Sequence, residues 1–372
     1  MALKVPVAPH VNSIPPYKPG RAMSSVAREF GLKVGTIVKL ASNENPLGMS
    51  PLARQAVEAF SDDLARYPDP ECIELRTALS AKHNVPMDWI IVGNGSAEIL
   101  QTASRAFLSH GRAGLASQYS FTSYQREAEA AGARCIMVPA RDYGVDLDAM
   151  ADAIAEDVRL IFVGNPNNPT GTWARPEEME RFLKRVPADV AVIVDEAYFE
   201  FLEPEEQFDS VQWVREYPNL VVTRTFSKIF GMAAMRIGYG IAQPDMIEVL
   251  NRLRLVFNVG AESQAAALAA LKDADFEEKS RRLNSEGMAQ LTAAFDRLGL
   301  GWVPSKGNFI MVKVGDAAAV NRELLKRGVI VRPIANYGLP EWLRVTVGLH
   351  EENARFLDRL AEVLRGLPAA AG

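Results

Sequence analysis

Short runs rich in β-branched residues alternate with helix-length stretches through the middle of this chain, and no other feature restricts the fold as much. The runs occupy 89–92, 134–138, 159–163, 190–194 and 220–223, and the helix-length stretches 97–108, 123–131, 148–155 and 177–186. The runs are apolar almost without interruption, rather than alternately apolar and polar, so each strand is expected to be buried on both faces. Such strands, separated by amphipathic helices, make a mainly parallel sheet with helices on both sides. Ligands of such sheets lie outside the carboxyl ends of the strands. The residues just after each run are therefore where chemistry is expected.

Beyond Pro244 the pattern changes. Helical segments at 245–257, 262–271 and 275–298 lead to strand candidates at 309–314, 329–332 and 343–347 and a closing helix at 351–365. This reads as a smaller α+β domain. The first 45 residues are proline-rich and irregular, and are expected to pack against it. A chain of 372 residues suits two such domains.

Composition narrows the function. The chain carries 41 basic and 46 acidic residues, a net charge of −5, which leaves no general basic face for nucleic acid. A local cluster of positive charge for a small anion remains compatible with that balance. Cys72 and Cys135 are too few for a disulfide scaffold or a cysteine-based zinc site, and fit a reducing compartment. Pro6 and Pro9 break the N-terminus, which has no long apolar core, so no signal peptide is read. Nowhere do about 18 apolar residues run together without charge, as a membrane span requires. A soluble, cytoplasmic protein with a frayed tail at 368–372 is expected. His10, His83, His110 and His350 are scattered, none at metal-ligand spacing. A dinucleotide-binding reading of Gly93 and Gly95 fails twice. Glu98 stands where the third glycine belongs, and the next strand candidate ends in Ala116-Ser-Gln118 rather than in an acid.

Three segments end strand runs with polar residues. Residues 163–171 read Val-Gly-Asn-Pro-Asn-Asn-Pro-Thr-Gly, where two Asn-Pro steps make a rigid turn because proline fixes its own φ and restricts its predecessor. Residues 193–198 read Ile-Val-Asp-Glu-Ala-Tyr, an acid pair directly after a buried strand, which is costly unless partnered. Residues 223–228 read Thr-Arg-Thr-Phe-Ser-Lys, with Arg236 eight residues beyond Lys228. Each has a plain structural explanation as well: a surface turn, a helix cap by Asp195, and a solvated lysine.

In this order, after successive strands, the three segments resemble the pyridoxal-phosphate aminotransferases of fold type I. Further stretches are similar to the histidinol-phosphate aminotransferase family: Tyr17-Lys-Pro-Gly20, 40–48 (Leu-Ala-Ser-Asn-Glu-Asn-Pro-Leu-Gly), Arg66-Tyr-Pro68, Gly93-Asn-Gly-Ser96 and 343–348 (Leu-Arg-Val-Thr-Val-Gly). The family's usual acid after Gly-Ser is replaced here by Ala97. The resemblance implies an α/β fold, with a large cofactor-binding domain over 46–255 and a small α+β domain made of 1–45 and 256–372. It implies pyridoxal 5′-phosphate as cofactor. It also implies transamination of histidinol phosphate with 2-oxoglutarate, giving imidazole acetol phosphate and glutamate, in histidine biosynthesis. An aromatic amino acid aminotransferase is the alternative, and a lyase or decarboxylase on the same fold a more distant one.

Roles follow from the resemblance, residue by residue. Lys228 matches the lysine that links to the cofactor and then carries the proton. Asp195 matches the carboxylate that keeps the pyridine nitrogen protonated, so that the ring withdraws electrons. Asn168 and Tyr198 match donors to the ring's 3′ oxygen, and Tyr124 the aromatic that stacks on the ring. Gly95, Ser96 and Ala97, at a helix N-terminus, with Thr225, Ser227 and the forked donor Arg236, match the phosphate cradle. Tyr67 matches a residue that reaches the phosphate from the neighbouring subunit of a homodimer. Tyr17, Asn43, Arg332 and Arg344 match the substrate-binding set.

Overall fold

The computed structural model describes residues 5–16, 20–60 and 64–366. The stretch Tyr17–Pro19 and the tail 368–372 lie outside the described residues. A seven-stranded sheet forms the centre of the molecule. Across it the strands run in the order Ile90–Gly93, Gly238–Ile241, Leu220–Thr225, Ala191–Asp195, Val158–Gly164, Ala113–Ser117, Arg134–Val138. All pairs are parallel except the two made by Gly238–Ile241, which lies antiparallel to both of its neighbours.

The uninterrupted apolar runs explain the layering. Strand side chains alternate between faces, and here both faces are core. Ile161, Val163, Val192, Val194 and Val222 pack into one cluster with Leu75, Phe182 and Val214, while Leu160, Phe162, Ile193 and Val221 pack into another with Ile99, Ala103 and Leu250. The strand Gly238–Ile241 has no β-branched run to announce it. Its glycines answer to space: a Cβ on Gly238 would come within 2.4 Å of the Ser96 amide nitrogen, and one on Gly240 within 3.1 Å of Ile91. The bare strand lets the helix Ser96–Phe107 start directly against the sheet.

Several helices begin at side-chain caps. Ser50 accepts from the Ala53 N–H ahead of Pro51, and Asp146, Asp273 and Asp316 cap Leu147–Asp152, Ala274–Arg297 and Ala317–Lys326. The helix expected over 245–257 stops at Asn251, and Phe257 takes a left-handed φ of 57°. The core of the large sheet continues past residue 255. Helix Ala261–Ala270 contributes Ala266, Ala267 and Ala270 to it.

A second, antiparallel sheet runs in the order Arg332–Ile334, Leu339–Thr346, Phe309–Lys313, Trp302–Val303, and is backed by Leu291, Phe295, Val320, Leu324, Phe356 and Leu360. The strand expected over 329–332 is two strands. Val329–Ile330 pairs in parallel with Val38–Lys39, and the chain crosses at Val331 into Arg332–Ile334, where the register shifts beside Pro333. The N-terminal segment is more ordered than its proline content indicates: Met23–Phe30 is a helix closed by Gly31 at φ 67°, and its Val26 and Ala27 pack with Leu325 and Ile330. No described helix is long and apolar enough to cross a membrane.

Candidate active site

The carboxyl ends of the parallel strands open into a cavity of about 340 Å³, which is in the range used for small ligands. Its wall includes Gly95, Ser96, Ala97, Tyr124, Asn168, Asp195, Tyr198, Thr225, Ser227, Lys228 and Arg236, from the large-sheet side. Asn43, Arg332 and Arg344 close it from the other side. These positions are far apart in sequence and meet because the strand ends converge. Tyr67 stands elsewhere: it is 81% exposed and stacks on Phe257 with ring centroids 4.4 Å apart. Tyr17 lies outside the described residues.

Asp195 ends its strand and is buried. Its Oδ2 accepts from the Tyr124 hydroxyl at 2.9 Å and its Oδ1 from Thr223 at 3.2 Å. Burial pushes its carboxyl upward in pKa; the bonds from Tyr124, Thr223 and the Ala197 N–H, and the charge of Lys228, pull the other way.

Lys228 lies half-buried, its Nζ 3.3 Å from the Ser42 carbonyl and 5.6 Å from the centre of the Tyr198 ring. Burial, then Arg344, lower its pKa to about 8. Tyr198 accepts from Asn43 Nδ2 at 2.9 Å, which leaves its own hydroxyl hydrogen to donate. Arg344 Nη1 donates to Asn168 Oδ1 at 2.6 Å, and its Nη2 to the Ala41 carbonyl at 2.9 Å. Arg344 and Arg332 are directly opposite on neighbouring strands. Asn45 spans three elements: its Nδ2 donates to the carbonyl of Ile229 at 2.7 Å and to Ser280 on the long helix at 2.8 Å.

Tyr124, expected to stack on a cofactor ring, lines the cavity with its hydroxyl committed to Asp195. One face of its ring is stacked on Phe162 at 5.0 Å with a 4° tilt. Phe121 is a further aromatic on the cavity wall. Its signal in the sequence was weak: an aromatic shortly after a strand of Ala, Gly and Leu. Ser42, Glu44 and Tyr337 also line the cavity. The first two lie inside the 40–48 stretch; no pattern marked Tyr337.

At Ala97 the chain has no acid, and the neighbouring Glu98 does not substitute for one. Its carboxylate turns away to accept from the Asn94 N–H at 2.6 Å and from Asn258 at 2.7 Å. The start of the helix Ser96–Phe107 therefore faces the cavity with free N–H groups and no opposing carboxylate from residue 97.

Comparison with known proteins agrees with this arrangement. The family profile "Aminotransferase class I and II" matches residues 35–360. The chain belongs to that aminotransferase family. Within it, the chain is 55% identical over 366 residues to a histidinol-phosphate aminotransferase of Ralstonia nicotianae, covering 97% of this chain and 98% of the relative. It is 54% identical to one of Cupriavidus pinatubonensis, at 97% and 98% coverage. Among solved structures, the histidinol-phosphate aminotransferase of Sinorhizobium meliloti in complex with pyridoxal 5′-phosphate superposes with a TM-score of 0.90 at 26% identity, over 99% of each chain.

Pyridoxal 5′-phosphate is the cofactor of this family, and the cavity residues fit it. A cofactor with a phosphate, a basic ring nitrogen and an aldehyde needs an anion site, a buried carboxylate and an amine. The wall supplies a helix N-terminus with Arg236, then Asp195, then Lys228. Gly95 takes φ 75° and ψ 165°, a conformation that favours glycine, and Arg236 packs over it; a Cβ there would come within 2.8 Å of the guanidinium.

Proposed function

We propose that this chain exchanges an amino group between histidinol phosphate and 2-oxoglutarate, reversibly, giving imidazole acetol phosphate and glutamate. The observation that carries this reading is the register pair Arg332 and Arg344, on the wall of the cavity that also holds Lys228. Both side chains line the cavity wall, where two forked donors can take one anion together. Histidinol phosphate brings a phosphate and no carboxylate; glutamate brings two carboxylates. An arginine fork pairs with either anion. Arg332 and Arg344, with Tyr17, are assigned to the phosphate in one half-reaction and Arg344 to glutamate in the other.

When bound, pyridoxal 5′-phosphate supplies an electron-withdrawing ring that stabilises negative charge at the substrate carbon losing its proton. The chain's own residues do the rest. Gly95, Ser96 and Ala97, with Thr225, Ser227 and Arg236, hold the phosphate. Asp195 keeps a proton on the ring nitrogen. Asn168 and Tyr198 donate to the 3′ oxygen. For Asn168 the orientation follows from Arg344, which takes the amide oxygen and leaves the NH₂ for the cavity. Lys228 Nζ would hold the cofactor and would move the proton at the reacting carbon. Asn43 orients Tyr198 through their hydrogen bond.

The working unit is assigned as a cytoplasmic homodimer. Tyr67 is exposed beside Phe257, Val256 and Leu255, an apolar surface suited to a second copy of the chain. On this reading Tyr67 reaches the neighbour's phosphate site.

The test compares histidinol phosphate with phenylalanine as amino donors on equal enzyme, with 2-oxoglutarate as acceptor. Histidinol phosphate is expected to win by kcat/KM, and Arg332→Ala to lower its kcat/KM more than that of phenylalanine. A preference for phenylalanine would replace the substrate assignment with an aromatic amino acid aminotransferase.

A further inference from the structure

Asp195 has to stay ionised in a place that disfavours charge. It is 6% exposed, and burial is the largest influence on its carboxyl. Two side chains donate to it: Thr223 from the next strand, and Tyr124 from the helix Thr122–Ala130. The Tyr124 bond is the shorter of the two, and its geometry is held on every side. The ring lies flat on Phe162, and its neighbour Phe121 meets it edge-on at 5.8 Å. Opposite the hydroxyl, Gly164 leaves the space open. A Cβ on Gly164 would come to 3.0 Å from the Tyr124 oxygen.

The phenol serves only as a donor here. Burial and the adjacent Asp195 raise its pKa well above the ordinary value, so it does not ionise in the working range. The other ionisable groups acting on this pair are Tyr198 and Tyr337, which act on Tyr124, and Lys228, which acts on Asp195. None of these is a hydrogen-bond partner of the carboxylate.

We propose that Tyr124 is a positioning residue that sets where one proton rests between Asp195 and the cofactor's ring nitrogen. The inference depends on the cofactor assignment made above. The proton has two resting places: on the ring nitrogen, facing a carboxylate, or on the carboxyl, facing a neutral ring. A donor to the carboxylate favours the first. Without that donor the proton moves toward Asp195 and the ring loses positive charge. The nitrogen that joins the cofactor to Lys228 then binds its own proton more tightly.

Tyr124→Phe keeps the ring on Phe162 and removes only the hydroxyl. The experiment titrates the cofactor's absorbance against pH in the parent and in the variant, and locates the attached cofactor after borohydride reduction. The midpoint is expected to rise by about one pH unit, with kcat lowered and the KM of the amino donor little changed. Gly164→Ala, which keeps the phenol but crowds its oxygen, should shift the midpoint in the same direction by less. Cofactor attached at Lys228 with an unmoved or lowered midpoint in Tyr124→Phe would overturn the inference and leave the cofactor assignment standing. A parent protein that attaches no cofactor at Lys228 would overturn both.

Discussion

Arg344 holds Asn168 by a 2.6 Å bond from Nη1 to Oδ1, joining a strand of the small antiparallel sheet to the turn that follows a strand of the large one. The same guanidinium donates to the Ala41 carbonyl. A substrate anion that binds Arg344 therefore meets a group already oriented by both parts of the fold, rather than one that must be ordered on arrival.

Arg344→Lys should reveal that dependence. Lysine keeps the charge but presents a point donor on a flexible stem, which cannot hold Asn168, Ala41 and an anion together. The kcat/KM for glutamate and for histidinol phosphate should each fall by an amount equivalent to about 2–5 kcal/mol. Steady-state kinetics in both directions checks this. A loss confined to one substrate would mean that the arginine serves only one half-reaction.

The Lys228 amine should react as a weak base. Burial and Arg344 bring its pKa down from 10.5 to about 8, and only the neutral amine attacks the cofactor's aldehyde. The rate at which cofactor-free protein takes up pyridoxal 5′-phosphate should climb as pH rises and level off above about 8; an unperturbed lysine would keep gaining to above 10. Arg344→Met removes a charge that disfavours the ammonium form, so its inflection should move to higher pH. Stopped-flow absorbance across the pH range reads both.

Asp195→Asn should separate catalysis from folding. The amide preserves shape and relieves the burial of a charge, so the melting temperature of the cofactor-free protein should not fall. It cannot hold the ring nitrogen protonated, and kcat should drop by about 10²–10³-fold, the scale for losing one preorganised electrostatic contact. Near-parental turnover would return Asp195 to the role of a helix cap.

Mixing two inactive proteins tests the shared site. If Tyr67 serves the neighbouring subunit, a Lys228→Ala variant and a Tyr67 variant of low activity should recover part of the lost turnover as hybrid dimers, each contributing the residue that the other lacks. Sedimentation of a fully active monomer would remove the basis for this prediction.

Much of the fold and of the cavity was legible in the sequence for a definite reason. Asn168, Asp195 and Lys228 follow apolar runs, and in a parallel sheet the ends of such runs converge. What stayed hidden depends on contacts made at a distance. Tyr124 and Asp195 are 71 residues apart, and nothing in the spacing distinguishes a tyrosine that stacks on a ring from one that donates to a carboxylate. The strand Gly238–Ile241 was hidden because its residues answer to the closeness of Ser96 and Ile91 rather than to strand propensity. The division of 329–334 between two sheets, likewise, is decided by the partners Val38 and Leu343.

The amide of Asn45 has a mechanical consequence. One of its hydrogens goes to the carbonyl next to Lys228 and the other to Ser280, the seventh residue of a 24-residue helix. That helix is a stiff rod roughly 36 Å long at 1.5 Å per residue, and Ser280 is near one end of it. Asn45 therefore ties the backbone beside Lys228 to the N-terminal third of that rod, so the position of the amine and the seating of the long helix share one side chain.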